Sequence, residues 1–206
     1  MGTRTWFGTA VLAALAVLVA CAREPAPAAP PPRIPTIAAP TSVVRTPVMV
    51  DRELPEDCEL IVPVEVVNQR IGREMAGELK QIIGIPEPKV ARTAKIDCYY
   101  DVGERRPIST APLVIGLATY ADEAAARERV AESVKAELES GGSSTEVDVG
   151  KQKASLVSTA EERLVIGSLG KTTFVARAKA GFVPDDQAGA VLSALAAQSM
   201  TPIEGA

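Results

Sequence analysis

TEVDVGKQKASLVSTAEERLVIGSLGKTTFVARAKA, residues 145–180, decides the fold. Thr145, Val147 and Val149 alternate with Glu146 and Asp148, the period of a half-buried strand. Lys153–Ser158 and Arg163–Leu169 flank a turn at Glu161-Glu162, and Gly170-Lys171 reads as a tight hairpin into Thr172–Ala180. Strands that follow one another through turns this short pair antiparallel. In the last of them Phe174, Ala176 and Ala178 point one way, while Arg177 and Lys179 point the other. One face of the sheet is therefore expected to be wet, or covered by something polar.

Working outward, Leu113–Tyr120 is apolar on both alternating faces, which fits a central strand covered on both sides. Asp122 caps the clearest helix of the chain. That helix runs to Glu139 with Ala126, Val130, Val134 and Leu138 on one side and Gly141-Gly142 just beyond its end, before a loop at 140–144. Pro184-Asp185-Asp186 opens a final helix whose stripe is Val191, Leu192, Leu195 and Ala196. Toward the N-terminus, Ile96–Asp101 reads as a short strand and Gly103–Pro107 as a charged turn. Pro63 begins a helix with Val64, Val67 and Ile71 at helical spacing and Gly72 as its C-cap. Arg73–Ile83 reads as a second, core-facing helical piece through Met75, Leu79, Ile82 and Ile83, stopped by Gly84, Pro86 and Pro88. The order predicts an α+β domain: a mainly antiparallel sheet of five to six strands with about three helices packed on it. Leu-Val-Ile-Gly recurs at Leu113–Gly116 and Leu164–Gly167, a hint of internal duplication.

The remaining N-terminal quarter is of a different composition. Arg4 precedes Trp6–Ala20, an apolar run of export-signal type, shorter than the roughly 20 residues that span a bilayer. Leu18-Val19-Ala20-Cys21 closes it and resembles a bacterial lipobox. That resemblance implies a diacylglyceryl group on the Cys21 thiol and cleavage before it; two acyl chains are what stable anchoring requires. Eight of the 16 prolines then fall between Pro25 and Pro47, a composition that favours extended polyproline II and cannot bury enough surface to fold. The chain thus divides into a signal peptide at 1–20, a lipid anchor and Pro-rich tether at 21–50, and a single globular domain at 51–206.

Once Arg4 leaves with the signal, 21 Lys and Arg face 26 Asp and Glu, a side-chain sum of minus five. No basic stripe with interleaved aromatics appears, so no nucleic-acid partner is expected. Cys58 and Cys98 are the two cysteines left after Cys21, so a bridge within the monomer can only be Cys58 to Cys98. At this separation it reads as structural, clipping the start of the domain to an early strand.

The chain has no histidine, which removes the commonest general base and the commonest transition-metal ligand. Catalytic, cofactor and metal residues are accordingly assigned to none. Glu161-Glu162 reads as a hairpin tip and Asp185-Asp186 as a helix start. Gly167-Ser168-Leu169-Gly170-Lys171-Thr172 lacks the frame of a phosphate loop and sits between strands.

The lipobox, the Pro-rich tether, Asp57-Cys58-Glu59-Leu60 before the first helix, Cys98-Tyr99-Tyr100, and a long amphipathic helix ahead of a β-meander together resemble small actinobacterial cell-envelope lipoproteins. Val62 and Tyr99 depart from that pattern, where Ser or Thr and Trp are usual. The resemblance implies a single α+β domain and supplies no catalytic residue. The expectation is a lipid-anchored extracytoplasmic protein, not an enzyme, on the outer face of the cell membrane, with an envelope protein as partner. The alternatives are a carrier of a lipid or apolar small molecule and a carboxylate-based envelope hydrolase.

Overall fold

The computed structural model describes residues 48–203, so the signal, Cys21 and most of the tether lie outside the described residues. Its centre is one open sheet of seven strands, all paired antiparallel, in the order β1-β2-β3-β7-β6-β5-β4. The strands are β1 (Glu78–Gly84), β2 (Arg92–Val102), β3 (Leu113–Tyr120), β4 (Ser143–Val149), β5 (Gln152–Ser158), β6 (Glu162–Leu169) and β7 (Thr172–Lys179). Three helices accompany them: α1 (Val64–Ile71), α2 (Glu123–Glu139) and α3 (Asp185–Ser199).

The class is α+β, and the sheet has seven strands rather than five to six. The additional strand is β1, in the segment whose spacing predicts a helix over Arg73–Ile83. Ile82 and Ile83 are 41% and 59% exposed, not core-facing. Pairing with β2 overrides the helical spacing. Gly77 lies so close to β2 that a Cβ there would stand 2.5 Å from the Asp101 carbonyl carbon, and its N–H donates to Asp101 Oδ1 at 2.7 Å. From that point the chain follows the ladder until Gly84.

The meander β4 to β7 forms as its sequence dictates, and Gly170 takes the left-handed conformation that its hairpin needs. β4 joins at the far edge of the sheet from β3, so α2 must carry the chain across the intervening strands. Its 17 residues span about 25 Å, against about 19 Å for four strand spacings. Asp122 caps it by accepting from the Ala125 N–H at 2.8 Å. Ala126 is buried, Val130 and Val134 pack on Val157, Leu164 and Ile166, but Leu138 is exposed, so the apolar stripe ends a turn early.

α1 and α3 cover the opposite face. There Ile96, Cys98 and Tyr100 of β2, Leu113, Ile115 and Leu117 of β3, and Phe174, Ala176 and Ala178 of β7 form one core with Val67, Leu192, Leu195 and Ala196. The Tyr100 hydroxyl, fully buried, donates to the Val62 carbonyl at 2.7 Å. The two Leu-Val-Ile-Gly segments are out of phase: Leu113 joins this core, whereas Leu164 belongs to the cluster under α2. They do not mark equivalent positions of a duplication.

Cys58, in a single helical turn at Cys58–Leu60, is bridged to Cys98 of β2 with a Cα–Cα distance of 5.6 Å. Gln81 of β1 braces the same corner, accepting from the Cys58 N–H and donating to the Glu56 carbonyl, both at 3.2 Å.

Candidate functional site

Because α2 starts against the end of β3, where Ala126 packs on Ala118 and Tyr120, and crosses the sheet away from β1 and β2, the same face of β1 and β2 has no α-helix packed on it among the described residues. Where the cover stops there is a groove of about 300 Å³. Its floor is Gly116 and Ala118 of β3. Cross-strand register builds the surroundings: Asp97, Gly116 and Val175 form one row, Tyr99, Val114 and Arg177 the next, and Arg92 pairs with Tyr120 at one end. α2 supplies the remaining wall through Arg129, Val130 and Ser133. Small residues make the depression. A Cβ on Gly116 would lie 2.6 Å from Asp97 Oδ1.

Four cations, Arg92, Lys95, Arg129 and Arg177, line the groove beside one acid, Asp97. Lys95 is engaged by Asp97 at 2.7 Å. Arg92 meets Glu87 at 2.8 Å near the rim. Arg177 is held from beneath α2 by Glu137 at 3.3 Å and from the start of β6 by Glu162 at 3.4 Å. Burial pushes the Glu162 carboxyl up, Arg177 pulls it down, and the neighbouring Glu137 and Glu161 push it up. Glu162 therefore begins a strand and braces an arginine, a role different from the hairpin tip its position suggests. Two buried side-chain donors find no partner among the described residues, and both are the Nε of groove arginines, Arg92 and Arg177.

All three tyrosines of the chain are held neutral. Burial raises Tyr100, with Glu59 adding to it. Burial raises Tyr99, with Asp97 adding and Arg177 opposing. Burial raises Tyr120 against the pull of Thr173, Arg129 and Arg92. A phenol whose folded value lies above its unfolded one keeps its proton in the folded chain. The stability it contributes is complete below about pH 10 and declines as pH rises further. An alkaline titration should show the last of the three phenolates appearing only with loss of circular dichroism; three phenolates formed in a chain still folded would contradict the burial of Tyr100.

The residues singled out from sequence do not converge on this groove. Cys21 lies outside the described residues, and Cys58 and Cys98 sit in the core on the opposite face. Asp185 and Asp186 occupy the first turn of α3, where Asp185 meets Arg163 at 3.0 Å. The hairpin at Gly170-Lys171 already holds a carboxylate: Lys171 N–H and Thr172 Oγ1 donate to Asp51 at 3.2 and 2.8 Å, so its donors are taken by the chain itself. No group of three or more Cys, Asp or Glu suited to a metal ion exists among the described residues.

The fold and the groove define an α+β domain with an open seven-stranded antiparallel sheet and an arginine-lined depression on one face. Comparison with protein-family models finds no match, and neither does comparison with curated proteins. Among solved structures, the chain is similar to the extracellular domain of PknH from Mycobacterium tuberculosis, at 12% identity and a TM-score of 0.39, over 68% of this chain and 92% of that one. A likeness of that degree carries no argument about fold or function.

Proposed function

We propose that the chain is a membrane-anchored extracytoplasmic lipoprotein whose α+β domain is a non-enzymatic binding or accessory module of the cell envelope. The observation that carries this reading is Leu18-Val19-Ala20-Cys21 at the end of the apolar run Trp6–Ala20. Its partners are the membrane, through acyl chains on Cys21, and an envelope component bound by the head, with a protein as the expected class. The groove supports a binding role because it is concave and lined by groups that orient a ligand. The acids nearest to it, Asp97, Glu137 and Glu162, are each engaged with a cation. A general acid or base has to be free to exchange a proton with its substrate. No helix among the described residues is long and apolar enough to cross a membrane.

Metabolic labelling with a clickable fatty acid tests the anchor. The wild-type chain should carry label and stay in the membrane fraction through a salt wash, and Cys21→Ala should lose the label and the retention together. A wild-type chain that takes up no label would overturn the proposal.

A further inference from the structure

We propose that the groove beside α2 is a binding site for a phosphate ester, with Arg129 and Arg177 as its anion-binding side chains and Tyr99 and Val114 as the surface for the ester's organic stem. The inference rests on reading the groove as the head's ligand-binding surface and goes further by naming the chemistry of the ligand.

Unpartnered donors are the first observation. Four cations line the groove and each also meets a carboxylate, Lys95 with Asp97, Arg92 with Glu87, Arg129 with Glu132 and Arg177 with Glu137 and Glu162, yet the Nε of Arg92 and that of Arg177 are buried without a partner among the described residues. Guanidinium N–H groups buried without a partner are donors that the oxygens of an anion can satisfy. The second observation is the identity and support of the cations. Three are arginines, drawn from β2, α2 and β7, and guanidinium matches phosphate oxygens in paired hydrogen bonds where an ammonium acts as a point charge. Arg177 is positioned by two carboxylates from behind, Glu137 and Glu162, so its side chain is held in place before a ligand arrives. Arg129 is less constrained. It meets Glu132 at 3.5 Å, and its side chain is 44% exposed. It is therefore the arginine able to swing onto a ligand at little cost.

The third observation is shape. At about 300 Å³ the groove stands at the lower end of small-molecule sites, the size of a headgroup or a small phosphorylated metabolite rather than of an acyl chain. Its floor is flat because Gly116 and Ala118 carry almost no side chain, so a ligand reaches the sheet itself. Tyr99 and Val114, paired across β2 and β3, present a phenol ring and a branched aliphatic next to Arg177. That arrangement fits an anionic head with a less polar stem.

The test titrates the full chain, in nonionic detergent micelles, with glycerol 3-phosphate, with glycerol, and with micelles doped with phosphatidic acid or with diacylglycerol, following heat by calorimetry. Saturable binding of glycerol 3-phosphate and not of glycerol, or of phosphatidic acid and not of diacylglycerol, supports the proposal. The first pattern indicates a soluble ester and the second a lipid headgroup. Arg129→Gln should weaken either by about tenfold or more, the loss expected for one charge-assisted hydrogen bond. Arg129 is on the helix surface, so this variant keeps its fold; Gly116→Val, which fills the floor, should abolish binding, with circular dichroism to confirm that it is folded. No saturable binding of either phosphate probe, or affinities unchanged in Arg129→Gln, would overturn the proposal. Neither result bears on fatty-acid labelling at Cys21, so the anchored-lipoprotein reading stands or falls separately.

Discussion

Reducing the Cys58–Cys98 bridge should remove roughly 4 kcal/mol of stability, by the chain-entropy relation for a loop closed across 40 positions. The bridge encloses α1 and β1. β1 is an edge strand whose only ladder is with β2, so it is the element with the fewest other ties to the sheet. In the oxidised protein the cross-link keeps the unfolded chain compact, and most of the effect arises in that state. Urea denaturation with and without a non-thiol reductant measures it. The midpoint should fall and the denaturant dependence should steepen as the freed chain expands. Cys58→Ala with Cys98→Ala should reproduce the loss, enlarged by the small cavities left in the core. A reduced protein with an unchanged midpoint would mean that the bridge constrains nothing the native contacts do not already hold.

Phe174→Ala should cost about 3–5 kcal/mol, the usual range for emptying a buried phenyl site. Phe174 is the largest apolar side chain of the core and is fully buried. Its ring lies over Gly167, its cross-strand partner in β6, where a Cβ would stand 2.5 Å from the ring edge. The missing side chain at 167 is the space that the ring occupies, so no neighbour is placed to fill the cavity. The melting temperature should drop by on the order of 10 °C, and Phe174→Leu should recover most of the loss. A change under about 1 kcal/mol for the alanine variant would show that the ring is not where the packing places it.

What could be read from the chain beforehand was local. β4 to β7, the strand at Leu113–Tyr120 and the helix capped by Asp122 all announce themselves within a dozen residues each. Their turns are short and their apolar residues recur at the right period. β1 was not legible because Met75, Leu79, Ile82 and Ile83 satisfy a helical period, while the force that makes them a strand comes from β2, about 15 positions away. The β-branched pair Ile82-Ile83 before Gly84 was the signal available, and it pointed to a strand. The groove was illegible for the same reason on a larger scale. Arg92, Arg129 and Arg177 come from three elements with no spacing in common, and only the register of β2, β3 and β7 together with the path of α2 brings them to one place. Arg177 alone left a trace, as a cation on the face opposite Phe174 and Ala176. That face is expected to be wet or covered by something polar; α2 instead covers it with Val130 and Val134 on Val157, Leu164 and Ile166, and is polar only where Glu137 meets Arg177.

The position of α3 has a consequence for how the chain reaches this state. The two meanders meet at one ladder, between Leu113–Thr119 and Thr172–Ala178, more than fifty residues apart. The lid on the apolar side of that seam is α3, which follows β7 in the chain. Until residue 199 is available, Phe174, Ala176 and Ala178 lack the cover of Leu192, Leu195 and Ala196, and a shorter chain leaves part of its apolar side open to aggregation. This face therefore cannot be sealed until α3 has been made, and a truncation that removes residues 188–199 should leave the chain prone to aggregate.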